Sequence, residues 1–226
     1  MNSSSPPVLG LIALGESHRP DFDHAVKSLL PECPYTIAGA LDDVPEQQIQ
    51  RLADQRGNYL LRVPAAGKIW EIPRDLLIPY LEKAEQKLKN QGTRLNLLMC
   101  AGMFPAIASS GILLYPGVLL LQLFQAIRYS SSPMTIGLIL PNQAQIAFAI
   151  PPWKAAGFNV LAQWADPHDT DRLVQTALAM REQVDVLILN CLGFNTTHQQ
   201  LLMQSVNIPV ITPLQVALNT VSSLIP

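Results

Sequence analysis

Two cysteines, Cys100 and Cys191, each follow a short apolar run and precede a glycine by two residues. The runs read LNLLM at 95–99 and VDVLILN at 184–190. A thiol ionises near neutral pH, and a helix N-terminus favours its thiolate further. A thiolate can remove a proton from a carbon next to a carboxylate, and a second thiol can return a proton to the opposite face. Such a pair would invert a stereocentre without a cofactor.

The loops that follow the two cysteines are the candidate substrate-binding loops. We expect a helix to begin just after each cysteine, so that backbone N–H groups face the carboxylate of a substrate. Gly102 and Gly193 would allow close approach to the backbone. The loops also contain Ala101 and Leu192. The alternative is that both thiols simply pack as small apolar groups.

Short apolar runs alternate with helical patterns along the chain. Continuous runs of this length suit parallel strands that are covered on both faces, and the alternation predicts right-handed βαβ units. The predicted strands are 8–14, 35–41, 95–100, 112–115, 135–141, 158–165, 184–190 and 208–212. The predicted helices are 21–30, 75–91, 117–129, 143–156, 169–183, 195–205 and 213–224.

The two halves of the chain repeat one order of segments. VLGLIALG resembles TIGLILPN, LNLLMCAG resembles VDVLILNCLG, and ILLYPGVLLLQL resembles VITPLQVALNTV. We therefore predict an α/β fold of two pseudosymmetric lobes, each a four-stranded, mainly parallel sheet flanked by helices. Residues 1–116 with 213–226 would form the N-terminal lobe, and 117–212 the C-terminal lobe.

The N-terminal lobe carries an insertion at about 42–92, with a hairpin around 58–72 and a helix that ends at Gly92. Ligands of open parallel sheets bind beyond the carboxyl ends of the strands. Lobes that face each other about a pseudo-twofold axis would therefore bring the thiols of Cys100 and Cys191 into one cleft.

Composition limits the class of protein. Of the 226 residues 49% are apolar and 14% charged, and the net charge is −2, which indicates a globular protein. Scattered Lys and Arg predict no nucleic-acid partner, and the most apolar stretch, 111–124, is too short to span a membrane. Three cysteines without a CxxC pair predict neither a disulfide scaffold nor a metal site. We expect a cytoplasmic protein without a secretory signal, and its apolar composition is compatible with a homodimer.

Several stretches resemble the AroM family, in the same order over nearly the whole chain. They are GESHRPDF (15–22), GALDDVP (39–45), LLMCAGMFP (97–105), LPNQAQ with WKAAGF (140–158), and VDVLILNCLGF with NIPVITPLQVALNTVSSL (184–224). AroM proteins resemble the aspartate/glutamate racemase superfamily, which includes amino-acid racemases, hydantoin racemase, maleate isomerase and arylmalonate decarboxylase. The resemblance implies an active site between two lobes and no cofactor. It would assign proton transfer to Cys100 and Cys191, one from each lobe.

Three departures from the superfamily pattern concern the proposed site. The usual Cys-Thr-Gly reads Cys100-Ala101-Gly102, which removes a hydroxyl. The usual Asp-Cys reads Asn190-Cys191, which removes a negative charge beside the thiol. The usual Gly-x-x-Pro-Arg reads Gly15-Glu16-Ser17-His18-Arg19, so the arginine is present without its proline. The fold therefore transfers better than the activity.

Four further residues are substrate-binding candidates. Arg19 would clamp a carboxylate with two hydrogen bonds, or else is a surface arginine. Ser17 would donate to the substrate or cap the next helix, and we favour the cap. Asn142 and Gln143, after the first strand of the second lobe, would bind ligand or cap the helix there.

These residues suggest more than one function. The first hypothesis is a cofactor-independent racemase or isomerase of a small carboxylate, and a related decarboxylase would need only one thiol. The second is a non-catalytic protein that binds a small carboxylate on the same scaffold, which the missing hydroxyl at Ala101 favours. A hydrolase with Cys191 and His198 is poorly supported, because no acidic partner for the histidine is evident.

Overall fold

The computed structural model of the protein describes residues 8–109, 111–127 and 134–225. The chain divides into two compact units. Unit 1 comprises Met1–Cys100, Phe104–Tyr115 and Leu218–Pro226, and unit 2 comprises Ala101–Met103 and Pro116–Ala217. Helices and strands are numbered in chain order in the two paragraphs that follow.

The described residues of unit 1 form a parallel sheet, an antiparallel hairpin and three complete helices. Its elements are β1 (Leu9–Ala13), α1 (Pro20–Leu29), β2 (Tyr35–Gly39), α2 (Glu46–Ala53), β3 (Leu60–Ala65), β4 (Lys68–Pro73), α3 (Arg74–Asn90), β5 (Leu95–Leu98) and β6 (Ile112–Leu114). The sheet has the order β2-β1-β5-β6, and every neighbouring pair is parallel.

Unit 2 contains a second parallel sheet and its helices. Its elements are α4 (Pro116–Ile127), β7 (Thr135–Leu140), a 3₁₀ helix (Gln143–Gln145), α5 (Ile146–Ala155), β8 (Asn159–Trp164), α6 (Thr170–Met180), β9 (Val186–Leu189), α7 (Thr196–Val206) and β10 (Val210–Ile211). Helix α8 (Pro213–Leu224) begins in this unit and ends in unit 1. The sheet has the order β8-β7-β9-β10, again parallel throughout.

The two sheets have the same topology. In both, the first strand along the chain lies between the second and the third, and the fourth is at the edge beside the third. The inner strands β1, β5 and β9 are buried at every residue, which explains why their sequences are apolar runs rather than alternating ones. The one polar residue in these three strands, Asn96 of β5, is buried as well. The predicted α/β fold with two four-stranded sheets is confirmed.

The insertion of unit 1 consists of α2, the hairpin β3–β4 and α3. Ala66 and Gly67 form the hairpin turn with φ of 50° and 72°, the left-handed values that a two-residue turn needs. Gly92 follows α3 with φ of 94°, so the predicted glycine at the end of this helix is confirmed. Helix α2 was not predicted, because Ile49 is the single buried residue in its sequence EQQIQRLA.

Helices α4 and α8 both begin at a proline, as the repeated strand-proline pattern predicts. Residues 128 and 129 of the predicted helix 117–129 lie outside the described residues. Within the described ranges, no helix combines the length and the apolar character needed to cross a membrane.

Candidate functional site

In unit 1, the chain leaves the third strand of the sheet in a tight turn that ends at Cys100. The Met99 N–H donates to the Ile12 carbonyl at 2.8 Å, which extends the pairing of β5 with β1 by one residue. The Cys100 N–H then donates to the Leu98 carbonyl, also at 2.8 Å. A hydrogen bond between residues two apart closes a γ-turn, which commonly ends a strand. This turn places the partly exposed cysteine at the carboxyl end of the sheet.

Unit 2 repeats this backbone arrangement at Cys191. The Asn190 N–H donates to the Ile139 carbonyl at 2.8 Å, and the Cys191 N–H donates to the Leu189 carbonyl at 2.8 Å. Cys191 is likewise partly exposed. Each unit therefore presents one thiol at the equivalent end of its third strand, held by the same two backbone hydrogen bonds.

The segment after Cys100 is not helical, so the helix expected there is wrong. Residues 101–109 contain neither helix nor strand. Side chains hold this segment instead: the Ile107 N–H donates to the Tyr115 hydroxyl at 2.9 Å, and the Ser109 hydroxyl donates to Glu85 Oε1 at 2.7 Å. Glu85 is only 3% exposed and belongs to α3, the insertion helix. Hydrogen bonds to side chains outside the segment, rather than hydrogen bonds within a helix, thus hold its conformation.

Ala101 and Gly102 belong to unit 2, although they directly follow the cysteine of unit 1. Ala101 is buried, whereas Gly102 is partly exposed. A Cβ at Gly117, near the start of α4, would lie 2.3 Å from the Ala101 carbonyl oxygen. Close backbone packing against α4 therefore holds Ala101, and its side chain offers no hydroxyl for a ligand.

After Cys191 the chain turns back, so that a backbone N–H group donates to the cysteine thiol. The Gly193 N–H donates to Cys191 Sγ at 3.3 Å, and the Phe194 N–H donates to the Cys191 carbonyl at 3.2 Å. Leu192 and Phe194 are buried on either side of the exposed Gly193. A donor directed at sulfur favours the charged thiolate, which is the form that accepts a proton.

Helix α7 begins at Thr196, with Asn195 as its N-cap. The His198 N–H donates to Asn195 Oδ1 and the Asn195 N–H donates to His198 Nδ1, both at 3.1 Å, which forms a capping box. The Pro167 backbone carbonyl lies near the imidazole and acts on its pKa. Burial lowers the pKa of His198, and nearby His168 lowers it further, against the opposing effect of the Pro167 carbonyl.

These bonds bear on the hydrolase hypothesis. The Nδ1 atom of His198 accepts the Asn195 N–H, so it is already engaged by a group other than the Cys191 thiol. The helix expected after Cys191 is present, but it starts five positions further along, after the cap.

In unit 1, Asp42 connects the loop after β1 to the end of β2, and the sequence analysis did not identify this residue. One carboxylate oxygen accepts the Ser17 N–H at 2.7 Å, and the other accepts the Gly39 N–H at 2.9 Å and lies 3.3 Å from Lys87 Nζ. Burial by itself would raise the pKa of Asp42, but the Gly39 and Ser17 hydrogen bonds outweigh it, so the pKa is lowered. The signal available in the sequence was the pair Asp42-Asp43 directly after the predicted strand 35–41.

Ser17 does not cap α1, so the favoured interpretation of this residue is wrong. The N-cap position is Arg19, whose side chain makes no capping hydrogen bond. The backbone N–H of Ser17 donates to Asp42 instead. Gly39 makes the close contact possible, because a Cβ there would lie 2.5 Å from the Ser17 nitrogen.

Arg19 is engaged by a carboxylate of its own chain. Its Nε and Nη2 donate to the two oxygens of Asp21 at 2.9 and 2.5 Å, and its Cζ lies 3.6 Å above the centre of the Phe22 ring. Only 18% of the side chain is exposed. The two-pronged geometry expected for a substrate carboxylate is thus present, with Asp21 as the acceptor.

The remaining two candidates lie after β7. Asn142 Oδ1 accepts the Gln145 N–H at 3.1 Å, so its interpretation as a cap is confirmed, for the 3₁₀ helix. Gln143 is exposed in that helix. The described residues include no group of three or more His, Cys, Asp or Glu that could hold a metal ion.

Comparison with known proteins gives one family and one fold. The model of the family described as AroM protein matches residues 9–225. No curated protein matches the sequence.

Solved structures of similar fold include aspartate racemase from Picrophilus torridus, which is 13% identical with a TM-score of 0.58, covering 95% of this chain and 94% of that one. Glutamate racemase from Bacillus anthracis is 13% identical with a TM-score of 0.61, covering 96% and 80%. Arylmalonate decarboxylase is 11% identical with a TM-score of 0.61, covering 96% and 92%. At these identities the similarity establishes the fold alone.

Proposed function

This chain belongs to the AroM family, and from that premise we propose that it is a cofactor-independent, racemase- or isomerase-like enzyme acting on a small carboxylate. Cys100 and Cys191 would be its proton-transfer pair. The proposal is supported by one observation above all: the two thiols follow the third strands of sheets with identical strand order, and the same pair of backbone hydrogen bonds holds each.

The proposed reaction balances without an added oxidant, reductant or cofactor. The thiolate of one cysteine takes the proton from the carbon next to the substrate carboxylate and becomes a thiol. The electron pair of the broken C–H bond delocalises into the carboxylate as an enediolate. The thiol of the other cysteine gives its proton to the opposite face of that carbon and becomes a thiolate. One turnover inverts the carbon and exchanges the roles of the two sulfurs.

The enediolate carries extra negative charge, so its stabilisation would come from hydrogen-bond donors next to the thiols. We assign this role to backbone N–H groups of Ala101, Gly102 and Leu192. Ala101 can contribute only its backbone, because its methyl side chain is buried. This requirement favours small substrates whose carboxylate is bound by main-chain donors.

The test is proton exchange in heavy water with a panel of amino acids, hydroxy acids and dicarboxylates, followed by NMR and chiral chromatography. We expect deuterium at the inverted carbon of one class of substrate. Cys100→Ala and Cys191→Ala should each reduce inversion by at least about 10³-fold, because each removes one of two essential proton-transfer groups. Cys33→Ala is the matched control, since this cysteine lies before β2 at the other end of the sheet, and it should keep full activity. Inversion that survives in either of the first two variants would contradict the two-thiol mechanism.

A related decarboxylase is the second candidate, because the segments after the two thiols differ. Cys191 is followed by a capped helix and accepts the Gly193 N–H, whereas residues 101–109 contain no helix. This asymmetry suits a reaction in which one thiol alone protonates the carbanion left by loss of CO₂. In that case Cys191→Ala should abolish CO₂ release from a malonate-type substrate, and Cys100→Ala should retain most of it.

A non-catalytic binding protein is the third candidate. The apolar side chain at Ala101 and the engagement of Arg19 by Asp21 both reduce the polar groups available for catalysis. Such a protein would show a ligand-dependent rise in melting temperature, since a ligand of the native state stabilises it by mass action. The rise would persist in both cysteine variants, and no deuterium would enter any ligand.

A further inference from the structure

The loop that carries Cys191 packs against Pro167, in the connection between β8 and α6. A Cβ added at Gly193 would lie 3.2 Å from Pro167 Cγ and 3.5 Å from Pro167 Cβ. The same Cβ would lie 3.5 Å from Cys191 Sγ. A side chain at this exposed position would therefore contact both the proline ring and the thiol, so Pro167 and Cys191 Sγ border the same side of Gly193.

His198 connects the two sides of this contact. Its Nδ1 accepts the Asn195 N–H at 3.1 Å, and the Pro167 backbone carbonyl lies close enough to the ring to raise its pKa. Because Nδ1 is an acceptor, the neutral ring has its proton on Nε2, which is the donor available to Pro167. One planar side chain thus joins the Pro167 loop to the segment that follows the cysteine.

The ring also fixes Phe194, whose N–H bonds the Cys191 carbonyl. The Phe194 and His198 rings meet edge to face, with centroids 5.9 Å apart at 88°. Phe194 is fully buried, so the backbone on its N-terminal side, including Gly193, has little freedom to move. His198 therefore contacts Asn195 and Phe194, which follow Cys191 in the chain, and lies near Pro167, which packs against the same loop.

From this geometry we infer that His198 is a positioning residue that holds the Gly193 N–H against Cys191 Sγ. Its catalytic meaning rests on the proposed role of Cys191, but its effect on the thiol does not. With the loop held, the sulfur keeps a backbone donor that stabilises the thiolate. With the loop released, the donor moves away and less thiolate forms at neutral pH.

The test measures thiolate formation directly, without turnover. Wild-type protein, His198→Ala and Pro167→Ala are treated with iodoacetamide from pH 6.5 to 9.5, and mass spectrometry follows each cysteine-containing peptide separately. Cys100 in the same sample is the internal reference, because it belongs to the other unit. Val206→Ala is the control for stability, since it removes buried methyl groups at the far end of α7.

We expect alkylation of Cys191, relative to Cys100, to fall by about 3- to 10-fold at pH 7.5 in both His198→Ala and Pro167→Ala, the size expected for one lost hydrogen bond to sulfur. The ratio of Cys191 to Cys100 alkylation should be unchanged in Val206→Ala, even if this variant loses as much melting temperature as His198→Ala does. A ratio in His198→Ala equal to that of the control would show that the histidine only caps α7. A raised ratio would show that the loop shields the thiol, and either outcome would overturn the inference. Loss of inversion in Cys191→Ala tests the proposed function separately, so the two ideas can fail independently.

Discussion

Asp42 and Asp43 are neighbours of equal charge with very different surroundings. The Asp42 side chain is 14% exposed and accepts hydrogen bonds from two backbone N–H groups, whereas the Asp43 side chain is 92% exposed and lies 3.7 Å from Lys87. Asp42 joins the loop after β1 to the loop after β2 at the carboxyl end of the unit 1 sheet. Its role is therefore to hold the segment that contains Ser17 and Arg19.

We predict that Asp42→Asn lowers the free energy of unfolding by about 1–3 kcal/mol, because one N–H donor would then face an amide NH₂. Asp43→Asn, the matched control, should change it by less than about 0.5 kcal/mol, as expected for an exposed ion pair. Urea unfolding at pH 7 measures both. Equal effects of the two substitutions would contradict the role assigned to Asp42.

The contribution of Asp42 to the free energy of unfolding depends on pH. The folded-state pKa of Asp42 is lowered, so its contribution is fully present above its unfolded pKa of about 3.9 and is lost as the pH falls through the lower folded value. The difference in stability between wild type and Asp42→Asn should therefore be constant from pH 7 to 5 and should narrow below pH 4.

At the scale of elements, the start of α7 differs from the start of α4 or α8. Those two helices begin at a proline, whereas α7 begins with a capping box in which a histidine accepts the N-cap N–H. A histidine in this role must be neutral, because a protonated ring has no acceptor. The helix cap is therefore sensitive to pH in a range where a Glu or Gln cap is not.

We predict that stability declines as the pH falls below about 6.5, the ordinary pKa of histidine in an unfolded chain. The folded-state pKa of His198 is lowered, chiefly by burial, so the unfolded chain binds the proton first. The contribution of His198 is complete above pH 6.5 and is lost between there and the lowered folded value. His198→Gln keeps a side-chain acceptor and should reduce this decline.

Urea unfolding at pH 7.5, 6.0 and 5.0 measures this effect, and an NMR titration of the His198 ring gives its pKa directly. His24→Gln, at an exposed position of α1, is the control and should leave the decline as in wild type. If the free energy of unfolding falls with pH as steeply in His198→Gln as in wild type, another group causes the pH sensitivity.

At the scale of the whole molecule, the chain returns to its first unit at the end. Residues from Leu218 onwards belong to unit 1, and Leu218 and Val221 are fully buried. Leu224, on the same helix, is 50% exposed. The last turns of α8 thus belong to the same unit as β1–β6, which end more than a hundred residues earlier in the chain.

We predict that Leu218→Ala lowers the free energy of unfolding of unit 1 by about 2–5 kcal/mol, because it leaves a cavity in a fully buried site. Leu224→Ala should cost less than about 0.5 kcal/mol. Trp70 is buried in unit 1, so its fluorescence in a Trp153→Phe, Trp164→Phe background reports that unit. Unfolding of Trp70 at the same urea concentration in both leucine variants would contradict this assignment.

Much of the architecture could be predicted from local sequence. Inner strands of a covered parallel sheet are predominantly apolar, so β1, β5 and β9 are visible as apolar runs, which only Asn96 of β5 interrupts. Proline at the start of α4 and glycine after α3 act through their own backbone preferences and need no distant partner. The repeated order of these segments predicted two sheets, and both have the same strand order.

The sequence by itself therefore determined the strands, most helices, the family resemblance and the position of one cysteine at the end of each third strand. Only the tertiary structure decided how the loops after those strands are held. Asp42 contacts Ser17 across 25 positions, Ser109 contacts Glu85 across 24, and His198 of α7 lies near Pro167 in the loop before α6. The physical reason is that helix and strand formation depends on neighbouring residues, whereas loop conformation depends on which distant side chains the sheet order brings within hydrogen-bond distance.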